Sequence, residues 1–104
     1  MDDVPYFEVN SNSSDFNLFS KGPIQDQEGF YNRLYDFIKQ NLNSKYKKDL
    51  LCYLVNQEGI IMEATLDPDS YLKSLNKCIE YYRENEEYET CNKIKKLIET
   101  HELR

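Results

Sequence analysis

A chain of 104 residues with a formal net charge of −6 is the size of one domain, and it could bury roughly 65% of the surface its unfolded form exposes. Nineteen acidic and thirteen basic residues make a mixed surface. That balance argues against uniform self-repulsion, and against a free phosphate backbone as partner, since such binding draws on Lys and Arg that replace counterions.

Residues 1–24 are rich in Asn, Ser and Asp and show no sustained period of 2 or 3.6, which predicts an extended or flexible N-terminal arm. Tyr6, Phe7, Val9, Phe16, Leu18 and Phe19 interrupt it. The arm alone cannot offset roughly 1–2 kcal/mol of backbone entropy per ordered residue. Two outcomes are therefore open: its apolar residues pack back on the domain as a lid or edge strand, or they form a docking peptide.

Residues 25–104 read as a single small domain of the α+β class, mainly helical. A first amphipathic helix is predicted over 26–42, with Phe30, Leu34, Phe37, Ile38 and Asn41 on one side. Asp26 is its expected N-cap, and Asn41, Asn43 and Ser44 supply its stop. Over 45–66 the pattern is ambiguous, because Leu50, Leu51, Leu54 and Val55 fit a helix while Leu51, Tyr53 and Val55 alternate. Asn56-Gln57-Glu58-Gly59, followed by Ile60, Met62, Ala64 and Leu66 at period two, favours a short β-hairpin over 50–66 with Gly59 in the left-handed position. The competing reading is a helix from Ser44 to Gln57 that Gly59 ends.

Asp67-Pro68 reads as an N-cap followed by proline in the first helical position. Tyr71, Leu72, Leu75, Cys78, Ile79 and Tyr82 then recur at three and four residues, and after Glu84-Asn85-Glu86 the pattern resumes with Tyr88, Cys91, Ile94, Leu97, Ile98 and His101. Two helices, 68–84 and 86–101, joined by so short a link must run antiparallel, which places Cys78 and Cys91 at similar heights on facing stripes.

Within the last helix, Tyr88-Glu89-Thr90-Cys91-Asn92-Lys93-Ile94-Lys95-Lys96-Leu97-Ile98 resembles the UVR-type helical hairpin of the UvrB and UvrC repair proteins, matching at Tyr88, Glu89, Cys91, Ile94 and Ile98. Lys95 stands where that pattern has Arg, Lys96 where it has an acid and Asn92 where it has a second small residue. The resemblance covers about a third of the chain and implies protein docking rather than nuclease or ATPase chemistry. In the arm, Asp15-Phe16-Asn17-Leu18-Phe19 is similar to the short peptides by which replication proteins dock on sliding clamps.

Catalytic apparatus is not expected. The lone histidine, His101, sits near a helix end where it suits a capping or surface role, and the isolated glycines Gly22, Gly29 and Gly59 make no phosphate loop. Cys52, Cys78 and Cys91 contain no Cys-x-x-Cys pair and read as small core residues in a reduced, cytoplasmic protein, a compartment that the charged opening Met1-Asp2-Asp3 also suggests. Zinc would need four ligands from these and His101, and no calcium loop is present, so neither a metal nor another cofactor is expected. Glu84, Glu86, Glu87 and Glu89 suit the start of the last helix, with Glu89 and Lys93 spaced for an i,i+4 pair.

The longest apolar run, Leu50 to Val55, is far below the roughly 18 residues of a membrane span. The basic clusters Lys45, Lys47, Lys48 and Lys93, Lys95, Lys96 lack interleaved aromatics, so direct nucleic-acid binding is not expected either. The bias toward Asn, Lys, Ile and Tyr is that of AT-rich coding, as in many phage genomes. The functional expectation is a non-enzymatic adaptor or regulator that binds a replication, repair, transcription or defence protein, with homo-oligomerisation left open. Candidate contact residues are Phe16, Leu18 and Phe19 in the arm and Glu84, Glu86 and Glu87 at the helical turn. The alternative is a small acidic inhibitor, such as an antitoxin, immunity or anti-defence protein, covering a basic surface.

Overall fold

Asp26 opens the first helix by accepting a hydrogen bond on Oδ1 from the Gly29 amide at 2.9 Å, and helix α1 then spans Gln27–Leu42. The cap sits so close that a Cβ at Gly29 would lie 2.1 Å from Asp26 Oδ2, which is why this position takes no side chain. The structure is a computed structural model and describes residues 4–9 and 24–103.

The sheet has three strands: β1 (Tyr6–Glu8), β2 (Leu50–Val55) and β3 (Ile61–Thr65), in the order β1-β2-β3. β2 and β3 form the expected hairpin. Asn56 organises its turn, accepting on Oδ1 from the amides of Glu58 and Ile60, both at 2.9 Å, while Gly59 takes φ +83°. A helix through this segment loses because β2 also pairs along its other edge. β1 runs parallel to it with Tyr6 opposite Tyr53 and Glu8 opposite Val55. The arm's Tyr6, Phe7 and Val9 thus take the edge-strand outcome, with Phe7 and Val9 buried and Val9 bridged to Ile24. Phe16, Leu18 and Phe19 lie outside the described residues.

Leu51 has no partner in the β2–β3 register, where Leu50 opposes Thr65 and Cys52 opposes Ala64. This bulge interrupts alternation and buries both Leu51 and Cys52, which accounts for the helix-like run of apolar residues. The Leu51 carbonyl accepts from Arg33 Nε of α1 at 2.7 Å, so the backbone group at the bulge is satisfied by a side chain.

Asp67-Pro68 begins a single 3-10 turn, Pro68–Ser70, before α2 (Tyr71–Glu84), and the Asp67 side chain makes no cap bond; its carbonyl accepts from Ser70 instead. Helix α3 spans Tyr88–Thr100 and packs on α2, which in turn packs on α1. The core runs from the inner sheet face (Phe7, Leu54, Ala64) through the α1 stripe (Phe30, Leu34, Ile38) to Leu75 and Ile79 of α2. At roughly 1.5–3 kcal/mol per fully buried large side chain, this cluster dominates stability, whereas α3 fully buries only Cys91 and Ile94.

All three thiols are buried and free. Cys78 and Cys91 lie at the α2 interfaces but turn to different partners, Cys78 Sγ toward the Tyr31 carbonyl at 3.9 Å and Cys91 Sγ toward the Ile79 carbonyl at 3.5 Å. Burial pushes the Cys78 thiol up to about 12, and does the same to Cys52 against the opposing Arg33 charge. No helix among the described residues is long and apolar enough to cross a membrane.

Candidate functional site

The turn between α2 and α3 is closed by backbone bonds, to which the Asn85 side chain adds one, Nδ2 donating to the Tyr81 carbonyl at 2.8 Å. Asn85 caps α2, the Glu86 amide donates to the Arg83 carbonyl at 3.0 Å, and the Glu87 amide donates to the Tyr82 carbonyl at 2.8 Å. These two bonds define a Schellman closure, whose residue after the cap must be left-handed. Here that residue is Glu86, at φ 60°, where glycine is usual. The end of α3 repeats the device: Glu102 has φ 49°, its amide donates to the Glu99 carbonyl, and that of Leu103 donates to the Ile98 carbonyl.

This geometry sets what the corner presents. Tyr88, expected on the buried stripe of α3, is 58% exposed, so the sequence pattern misplaced it. The buried stripe of α3 begins only at Cys91 and continues at Ile94, and Tyr88 lies off it. Glu86, Glu87, Tyr88, Glu89 and Thr90 line one open depression at this end. Glu84, Glu86 and Glu87 therefore occupy a single exposed corner, with Tyr88 beside them. Among the described residues the expected Glu89–Lys93 pair is not made, and an ion pair on α2 joins Lys77 and Glu80 at 3.6 Å, both exposed, where such contacts are worth little.

The acidic field of the corner extends inward along a ladder of tyrosines. Tyr31 of α1 stacks on Tyr81 of α2 with ring centroids 4.4 Å apart, and Tyr82 donates its hydroxyl proton to Asn32 Oδ1. Burial raises the pKa of Tyr31, and the carboxylates of Glu80 and Glu84 add to that rise. Tyr82 shifts the same way, from burial first and Glu87 among its neighbours. The Tyr82 hydroxyl thus serves as a hydrogen-bond donor rather than a base.

Among the described residues, no group of three or more His, Cys, Asp or Glu side chains could hold a metal ion. His101 is the C-cap of α3, its amide donating to the Leu97 carbonyl at 3.2 Å. Sequence reasoning named the glutamates of the corner but placed Tyr88 on the buried stripe. The surplus of acidic residues before Tyr88 was the one available signal. No protein-family model, no curated protein and no solved structure matches the chain.

Proposed function

We propose that the chain is a non-enzymatic adaptor or regulator that docks on another protein, a replication, repair, transcription or defence component, through the α2–α3 corner. The observation that carries this reading is Tyr88, 58% exposed on a backbone-closed turn and flanked by Glu86, Glu87 and Glu89. An aromatic side chain held at low entropic cost within a charged rim is the anatomy of an interface anchor. The partner surface it fits is an apolar pocket with a basic border. The resemblance to UVR-type hairpins, which dock on proteins, supports the same reading from Tyr88 and Glu89.

The acidic rim also favours a second reading, in which the chain is an inhibitor whose carboxylates cover a basic functional surface. Salt separates the two. Affinity purification from the source cells is run with the native chain and with Tyr88→Ala, at low and high ionic strength. Loss of the same identified partner with Tyr88→Ala, largely independent of salt, supports docking through the aromatic anchor. Retention by Tyr88→Ala with steep loss in salt supports the inhibitor. Retention by Tyr88→Ala together with loss on Phe16→Ala and Phe19→Ala assigns docking to the arm, which fluorescence polarisation of the 15–19 peptide against a sliding clamp then tests directly.

A further inference from the structure

The sheet ends differently at its two sides. Beyond β1, Val9 bridges to Ile24 and the Gln25 amide donates to the Glu8 carbonyl at 3.0 Å, so the chain itself covers part of that edge. Beyond β3 no strand follows among the described residues, and the order β1-β2-β3 leaves Ile61–Thr65 at the margin. Edge strands are ordinarily blunted by lysine, proline or a bulge. β3 contains neither of those residues, and the bulge of this sheet lies on β2.

Antiparallel pairing decides which backbone groups face outward. The Asn56 amide donates to the Ile60 carbonyl at 3.0 Å, the Leu66 amide donates to the Asp49 carbonyl at 2.8 Å, and Met62 opposes Leu54 between them. Ile60, Met62, Ala64 and Leu66 therefore turn their N–H and C=O groups toward β2, and Ile61, Glu63 and Thr65 turn theirs away from the sheet. The side chains of these three residues are exposed as well, Ile61 at 56%, so no other part of the fold lies on them.

The outer face of the sheet is laid out in two rows that run toward this edge. Tyr6, Tyr53 and Glu63 lie side by side, the two rings stacked with centroids 4.7 Å apart, and Glu8, Val55 and Ile61 form the next row. A strand added beyond β3 extends both rows, one past Glu63 and the other past Ile61. Cross-strand neighbours stabilise a sheet when opposite charges or apolar side chains meet. The position beside Glu63 thus suits lysine or arginine, and the position beside Ile61 suits a β-branched or aromatic residue.

We propose that β3 binds an extended segment of another protein as a fourth, antiparallel strand, with a basic residue of that segment opposite Glu63 and an apolar one opposite Ile61. A second copy of this chain fits worse. The two-fold register that pairs all of Ile61–Thr65 sets Glu63 against its own counterpart, and like charges directly opposite one another destabilise the pair. The edge is separate from the α2–α3 corner, and the proposal does not depend on what that corner binds.

The test is NMR titration of the isotopically labelled full chain with a capped pentapeptide, threonine-valine-lysine-valine-isoleucine, which sets lysine opposite Glu63 in the antiparallel register. Two further peptides are compared with it: one with glutamate in place of lysine, and one N-methylated at the first, third and fifth residues, which keeps the charge and loses the donors. Saturable shifts in β3 at millimolar lysine peptide are expected, with hydrogen exchange slowed at the Ile61, Glu63 and Thr65 amides and unchanged at Met62 and Ala64. The glutamate peptide should bind about fivefold more weakly, and Glu63→Lys, at an exposed position, should reverse that preference. The absence of saturable shifts, equal binding of the N-methylated peptide, or a preference that Glu63→Lys leaves unchanged overturns the proposal. So does slowed exchange of the three amides on raising the protein concentration without peptide, which assigns the edge to a second copy. Tyr88→Ala leaves the titration unaltered, which keeps this result separate from that of the docking corner.

Discussion

The chain reverses direction after α1 and again after α2, and the two corners do so by different means. After α1, a buried carboxamide from Asn41 reaches out and fixes Lys48, with Lys47 returning a charge-assisted bond to the helix end. After α2, the backbone closes on itself through Glu86 and Glu87, and the side chains are left outside. A corner held by a buried polar group tolerates little change, because each unmade bond leaves another group unpaired. A corner closed mainly by its backbone constrains Asn85 through its bond to the Tyr81 carbonyl and Glu86 through its left-handed φ, and leaves Glu87 and Tyr88 freer for recognition.

The largest expected effect comes from breaking the first corner. Asn41→Ala strands the Lys48 amide and carbonyl and the Tyr71 hydroxyl, and should cost about 2–4 kcal/mol in urea unfolding at neutral pH. A cost below about 1 kcal/mol would erase the contrast between the two corners.

Alkaline pH acts on the interior that both corners share. Cys52 and Cys78 have thiols raised to about 12 in the folded protein, against roughly 8.5 unfolded. Between these values the unfolded chain has lost protons that the folded chain keeps, so stability falls as pH rises, by about 1.4 kcal/mol per unit for each thiol. Below about pH 8.5 this contribution is fully present. Thermal unfolding followed from pH 7 to 10.5 should show a flat then declining midpoint. One cooperative transition is expected, and a separate early loss of α3 would instead make the second corner an independent unit.

Glu86→Gly should stabilise. The left-handed conformation costs a side-chain-bearing residue about 1–2 kcal/mol, and the greater unfolded entropy of glycine returns part of that, leaving about 0.5–1 kcal/mol. Denaturation midpoints read this directly, and Glu86→Val should shift them the opposite way. The smallest effect on stability belongs to Tyr88→Ala, within about 0.5 kcal/mol, while the same change should remove partner binding in the purification experiment. A stability loss well above that would return Tyr88 to a structural role.

Much of the fold was readable residue by residue. Asp26 before an apolar period of 3.6, Gly59 between two period-two runs, and a short polar link between two amphipathic stripes each produced the element found. What the sequence left out shares a cause. Asn41 was placed on the apolar side of α1 and at its stop, and both hold, but its role as the buried hub of the first corner was not legible because its partners Lys48 and Tyr71 come from separate elements. Tyr88 fitted the stripe of α3 and lies outside it. Lys47 and Lys48 line one cleft with Arg33, and nothing in the sequence connects them to it.

The sequence by itself determined that three helices form and where the chain turns, with their bounds set to within three residues, since φ preferences and a 3.6-residue period are settled among near neighbours. Tertiary structure alone decided that Tyr6–Glu8 would extend the sheet beside β2, that the bulge at Leu51 would draw in Arg33, and which of two similar tyrosines, Tyr71 or Tyr88, would be buried. Burial and strand pairing are long-range properties: whether a side chain loses its water depends on which distant segment arrives opposite it.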